Sequence, residues 1–233
     1  MITSYMNWSG GKDSALCLHK ALQSKKYLIS NLLTSVNSVH HRISMHGVRR
    51  SLLEAQAKSI GIPLSTIELP EQPGMEEYEQ KMLDKVTELK KNGCTHAIFG
   101  DIFLEDLKKY REEKLAQLEV ECVFPLWKRD TTQLVHEFID LGFKSVIVCV
   151  NEQWLDKSFC GRLIDESFLS DLPANVDPCG ENGEFHSFVF EGPIFKQPIR
   201  YQKGEIVHRK YEAPKNIGAN ESYGFYFCDL IEE

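Results

Sequence analysis

Six consecutive residues near the amino end, Ser9-Gly10-Gly11-Lys12-Asp13-Ser14, bring together two glycines, a cation, an acid and two hydroxyls. The short run Tyr5-Met6-Asn7-Trp8 precedes them, and a helical pattern from Ala15 to Leu22 follows. A strand, a glycine turn and a helix start in that order form a phosphate cradle. Glycine lets backbone N–H groups approach an anion closely, and the helix N-terminus adds partial positive charge. Lys12 adds a full charge and Ser14 a hydroxyl donor. The spacing is not that of a Walker A loop, where four residues separate a Gly from Gly-Lys-Ser/Thr. A plainer role is open to Asp13 or Ser14, as the cap of the following helix.

Further candidates lie downstream. Gly180-Glu181-Asn182-Gly183-Glu184-Phe185 reads as a tight turn feeding a strand, whose glycines allow positive φ and close ligand approach. Its acids, Glu181 and Glu184, either bind a cationic or polarised group or stand in solvent. Gly100-Asp101 ends a strand, so Asp101 either meets a ligand or metal or caps a helix. Arg111 pairs with an anion or with a neighbouring glutamate on its helix. Arg162 binds an anion or pairs with Asp165 three residues on. Trp127 is a core aromatic or a pocket wall.

These residues need elements to hold them. Strand patterns cover Thr3–Trp8, Ile29–Ser35, Leu64–Leu69, His96–Phe99, Cys122–Pro125 and Ser145–Val150. Helical patterns fall between them, at Ser14–Ser24, Val48–Ile60, Met75–Lys91, Leu104–Leu118 and Thr132–Leu141, the last capped by Asp130. Gly61-Ile62-Pro63 and Asn92-Gly93 end two of the helices. Alternating strands and helices predict an α/β fold of Rossmann-like type, a parallel sheet with helices on both faces. The strand carrying the glycine turn should be central, at a switch in strand order. After Val150 the alternation stops. A helix around Leu163–Leu172 is followed by strands at Phe185–Phe190, Ile194–Gln202, Glu205–His208 and Tyr223–Leu230, with Lys203-Gly204 as a hairpin turn. This predicts a smaller α+β C-terminal substrate domain. The division is placed near Gly100, giving a nucleotide-binding part at 1–100 and a substrate-binding part at 101–233.

Bulk properties narrow the class. A formal net charge of −7 over 233 residues argues against general nucleic-acid binding. No apolar run approaches the ~20 residues that span a bilayer. The N-terminus has no signal-peptide pattern, and the seven scattered cysteines include no Cys-x-x-Cys. The expected compartment is the cytoplasm.

The glycine turn resembles the pyrophosphate loop of the PP-loop ATP pyrophosphatases, which cleave ATP to AMP and pyrophosphate. Three further stretches resemble one branch of that superfamily, the diphthine–ammonia ligase family. They are Met45-His46 with Glu54 through Pro63; Phe99-Gly100-Asp101-Ile102 through Arg111 with Phe124 through Asp130; and Gly161 through Asp165 with Cys179 through Phe185 and Phe188-Val189. The family's usual Gly-Glu-Gly-Gly-Glu-Phe-Glu-Thr-Phe-Val stands here as Gly180 through Val189, with Asn182, His186 and Ser187 as the departures. A Gly-Ala-Ile becomes Gly100-Asp101-Ile102, and the match at Arg111 needs one inserted residue.

The resemblance implies an ATP-dependent amide-forming ligase with Mg²⁺. Ser9, Gly10, Gly11, Lys12, Asp13 and Ser14 would hold the β- and γ-phosphates, with Asp13 near the metal. Adenine would lie beside Leu33-Thr34-Ser35, and Gly100 and His46 would border the nucleotide. A carboxylate would attack the α-phosphorus to give an acyl adenylate. Free ammonium would then displace AMP, since no glutaminase module is visible. Asp101, Glu181 and Glu184 would join Lys12 and Asp13 in catalysis. Arg111, Trp127, Arg162 and Gly180 would line the acceptor site, together with Glu181 and Glu184. The family's acceptor is diphthine on elongation factor 2, and a homodimer is one possible assembly. Nucleotidyl transfer to another carboxylic acid or to tRNA is a competing reading. So is a non-catalytic adenine-nucleotide module.

Overall fold

A computed structural model of the chain describes residues 1–43, 47–71, 73–212 and 222–233. The elements run β1 (Ile2–Asn7), α1 (Lys12–Gln23), β2 (Tyr27–Asn37), β3 (Arg42–Ile43), α2 (Arg50–Ile60), β4 (Leu64–Leu69), α3 (Met75–Lys91) and β5 (His96–Ile98). They continue with α4 (Glu105–Ala116), β6 (Glu121–Val123), α5 (Thr131–Asp140), β7 (Lys144–Asn151), α6 (Glu166–Asp171), β8 (Phe185–Glu191), β9 (Tyr201–Glu212) and β10 (Ser222–Glu232). Asp130 caps α5 by accepting from Gln133 N at 2.8 Å, and Gly61 closes α2 in the left-handed conformation.

In the first sheet β1 pairs in parallel with β2 on one side and β5 on the other. β4 extends the sheet beyond β2 and β6 extends it beyond β5, both in parallel. The short β3 runs antiparallel beside the end of β2. Strand order therefore reverses at β1, the strand that leads into the glycine turn. Alternation along the strands puts Met6, Leu32 and Ile98 into one core, with α1 and α2. Their neighbours Tyr5, Leu33 and Ala97 enter a second core, with residues of α3 and α4. Helices thus cover both faces, as expected of the fold class.

The second sheet has the order β8-β7-β10-β9 and is antiparallel throughout. β7, read from sequence as one more unit of the alternating series, is one of its two inner strands, beside β10. The expected division at Gly100 separates β5 from its parallel partner β6. The change of sheet falls instead between Val123 and Lys144. The first core continues into the second sheet through Val146, Val148, Phe185, Phe188 and Leu230, so the two sheets share one apolar interior.

Two expectations in the C-terminal part are corrected. Lys203-Gly204 is not a turn but lies inside β9, beside a register shift in the β9–β10 pairing, where a Cβ on Gly204 would come 3.2 Å from the Asp229 Cβ. The link between β9 and β10 falls outside the described residues. The segment 194–200, flanked by Pro193 and containing Pro198, is not a strand. Its backbone bonds to the end of α2 instead, through Lys196 N to Ser59 O and Ser59 Oγ to Gln197 O at 2.6 Å.

Candidate active site

The glycine turn leaves the C-terminal end of β1 and enters α1 directly. Gly10 sits at φ +77°, and a Cβ there would come within 2.7 Å of Gln56 Oε1. Gln56, fully buried on α2, explains that close approach. Its Nε2 donates to Gly10 O at 3.1 Å and to Val189 O at 2.6 Å, while its Oε1 accepts from Trp8 Nε1 at 2.9 Å. Val189 N also donates to Gly10 O, at 2.9 Å, so β8 is bonded to the turn. The helix cap is Gly11, which provides no side-chain bond. Ser14 donates to Gly11 O and accepts from Ser9 Oγ, so neither Asp13 nor Ser14 acts as the cap.

Lys12 is 3% exposed, and its Nζ lies 2.7 Å from both carboxylate oxygens of Asp13. Burial alone would push the ammonium pKa down. Asp13, Cys179 and Glu181 outweigh that and hold it above the ordinary lysine value. Lys12 therefore carries its charge throughout the physiological range.

A cavity of about 770 Å³ opens over the turn. Ser9, Gly11, Lys12, Asp13 and Ser14 form its floor; Thr34 and Ser35, with Leu33, Ile67 and Leu69, form a largely apolar wall. Gly100 brings the end of β5 against α1, since a Cβ there would lie 3.2 Å from the Asp13 carbonyl and Ser14 N. The next residue, Asp101, lines the cavity and is paired with Arg111 at 3.2 Å, while Arg111 stacks 4.3 Å from the Phe99 ring centre. Burial raises the Asp101 pKa more than Arg111 lowers it.

Gly180 and Glu181 close the cavity from the second sheet, with His186 and Ser187 beside them. Burial first, and then the negative charge of Asp13, push the Glu181 carboxyl up to about 8. Burial and Lys12 push the His186 imidazole down to about 4, leaving it neutral near pH 7. Glu184 does not face the cavity. It is fully buried and accepts from Asp177 N, Asn182 N and Asn182 Nδ2 at 2.8–3.0 Å. It holds the turn that presents Glu181, with Gly180 and Gly183 at positive φ, so contact with substrate does not fit its placement.

Two more candidates fall away from the cavity lining. Trp127 packs on Phe124 at 5.6 Å, with Lys108 over its ring. Arg162 pairs with Asp171 at 2.8 Å rather than with Asp165, which instead caps α6. His46 lies outside the described residues. Three participants went unassigned from sequence: Gln56, Ser187 and His186. Gln56 stands inside a stretch that carries the family resemblance, whereas His186 and Ser187 are departures flanked by such stretches. Their roles depend on contacts between residues up to 175 positions apart, such as Lys12 N to Ser187 Oγ at 3.2 Å.

Comparison with known proteins bears on this arrangement. Two family models match, the diphthamide synthase N-terminal domain over residues 2–120 and the diphthamide synthase C-terminal domain over residues 130–217. A diphthine–ammonia ligase of Danio rerio is 26% identical over 232 residues, covering 90% of each chain. That of Homo sapiens is 24% identical over 227 residues, covering 88% of this chain and 85% of the relative. Among solved structures, the U34-tRNA thiolase NcsA from Methanococcus maripaludis with its 4Fe-4S cluster is 23% identical. It has a TM-score of 0.36 and covers 60% of this chain and 57% of its own. The family matches cover β1 to β5 of the first sheet, β7 to β9 of the second, and both the glycine turn and the Glu181 turn that border the cavity: the chain belongs to the diphthamide synthase family and is a carbon–nitrogen ligase.

Proposed function

We propose that the chain converts a carboxylate to an amide in two steps at this one cavity, with diphthine on elongation factor 2 as the acceptor. In the first, a carboxylate oxygen attacks the α-phosphorus of ATP. The bond to the bridging oxygen breaks, pyrophosphate leaves and an acyl adenylate forms. In the second, ammonia attacks the acyl carbon and AMP leaves with the former P–O–C oxygen. The observation that carries this reading is the meeting of a buried, charged Lys12 at the glycine turn with the acids Asp101 and Glu181 around a single cavity.

Pyrophosphate departs readily only when its developing charge is neutralised. Lys12 and the N-terminus of α1 supply fixed positive charge where that happens. The apolar wall of Leu33, Ile67 and Leu69 suits a purine ring, with Thr34 and Ser35 at its polar edge. Asp13 raises the proton affinity of Asp101, and Asp13 and Asp101 raise that of Glu181, so three carboxyl groups stand together at the cavity. Such a set suits Mg²⁺, which binds through one or two carboxylates, substrate phosphates and water. Asp13 and Asp101 would hold it, and bound there it would neutralise phosphate charge. Glu181, in its ionised form a stronger base than an ordinary carboxylate, would take the proton that ammonium must lose, increasingly so as pH rises towards about 8.

The test is product analysis. Incubation with ATP, Mg²⁺, ammonium and diphthine-bearing elongation factor 2 should release AMP and pyrophosphate in equal amounts and convert diphthine to its amide. Formation of ADP would contradict the loop assignment. Binding of ATP without turnover by any acceptor would favour the non-catalytic reading.

A further inference from the structure

Ser187 lies on β8, in the second sheet, yet it is 4% exposed and lines the cavity beside the glycine turn. Its Oγ accepts the N–H of Lys12, the first residue of α1, at 3.2 Å. A helix-start N–H is one of the donors that a phosphate loop offers to its anion. Here that donor is spent on a serine hydroxyl. The arrangement does not discard it. A hydroxyl accepts and donates at once, so an oxygen bonded by Lys12 N–H keeps its own proton to give. Polarised by the incoming bond, that O–H becomes a better donor to an anion in the cavity.

The placement is fixed from two sides. Val189, two residues on and on the same face of β8, donates to Gly10 O, and Gln56 bonds both Gly10 O and Val189 O. The strand that carries Ser187 is therefore bonded to the turn at adjacent same-face positions.

We propose that Ser187 is a phosphate-binding residue that the second sheet contributes to the nucleotide site, relaying the Lys12 N–H onto the terminal phosphates through its own O–H. The proposal rests on the assignment of the glycine turn to those phosphates, and it does not require any particular acceptor. Its consequence is that the turn's grip on pyrophosphate is assembled from both sheets.

The experiment measures binding of inorganic pyrophosphate and of AMP to the full chain by calorimetry, for wild type, Ser187→Ala and Ser187→Thr. Losing one hydrogen bond to a charged group should weaken pyrophosphate by about 10-fold or more in Ser187→Ala. AMP affinity should stay at the wild-type value, and Ser187→Thr should restore pyrophosphate binding to within about 3-fold of wild type. A general structural role would weaken AMP and pyrophosphate together, and that result overturns the proposal. So does wild-type pyrophosphate affinity in Ser187→Ala. Selective loss of pyrophosphate in a protein that forms no AMP from ATP would sustain Ser187 while refuting the ligase reaction. AMP formation at wild-type KM for ATP in Ser187→Ala would do the reverse.

Discussion

Lys12 and Glu181 occupy one electrostatic environment, and both hold their protons more tightly in it. The lysine keeps its proton because the carboxylates around it outweigh its burial. Replacement by methionine keeps an apolar stem and removes the charge, which lies 5.8 Å from the Phe185 ring centre. The expected result is a fall in AMP formation of about 10²-fold or more, measured as pyrophosphate release, as for other preorganised charges acting on a leaving group. Wild-type turnover in Lys12→Met would place the chemistry elsewhere. Glu181 holds a proton to about 8 when folded, against about 4.5 when free. Between those values the folded chain binds a proton that the unfolded chain has released, so stability falls as pH rises across that window. Glu181→Gln should flatten that decline in a series of denaturant midpoints from pH 5 to pH 8. Identical slopes for both proteins would show that Glu181 does not carry it.

At the scale of elements, the glycine turn is less a property of its own six residues than of three strands and a helix that meet there. Gln56 on α2 satisfies Gly10 O, Val189 O and Trp8 Nε1 at once. Gln56→Leu keeps the volume and leaves Val189 O and Trp8 Nε1 buried without that partner. A cost of about 1–3 kcal/mol per orphaned group follows, read as a lower urea midpoint. ATP affinity should fall in the same variant, because the turn loses its clamp. A variant as stable as wild type would mean that water or a rearranged side chain replaces Gln56. The helix cap at Asp130 gives a smaller, separable effect. Asp130→Ala should cost about 1 kcal/mol with ATP turnover unchanged, since the cap lies at the start of α5, outside the cavity lining.

Over the whole molecule, the two sheets are joined by a shared apolar interior and by one charged tie. Asp229 on β10 pairs with Arg42 at 2.8 Å and with Arg49 at 2.6 Å, one on β3 and the other just before α2. Burial acts to raise the Asp229 pKa, but the bonds from Arg49 and Arg42 outweigh it and bring the value to about 2, against an ordinary 3.8. The stabilisation is complete above the unfolded value and disappears as pH falls through the folded one. Asp229→Asn should therefore lower the thermal midpoint at pH 6 and bring the variant and wild type together near pH 2. A constant gap down to that pH would assign the effect to packing. Among the described residues no helix is long and apolar enough to cross a membrane.

The alternation of apolar strands with capped helices was enough to read the parallel sheet, β1 at its centre and the glycine turn at its edge, because each of those features is written in residues close together in the chain. Lys12, Asp13 and the Gly180–Glu181 turn stand out as candidates in the sequence for the same reason. The membership of β7 in the second sheet was not, since a buried strand has the same apolar pattern whether its neighbours run parallel or antiparallel. Nor did local pattern distinguish Glu184, locked beneath its turn, from Glu181, three residues earlier and facing the cavity. Only the folding of α2 and β8 against the glycine turn brought Gln56 and Ser187 into contact with it. Hydrogen bonds between residues far apart in sequence leave no periodicity behind.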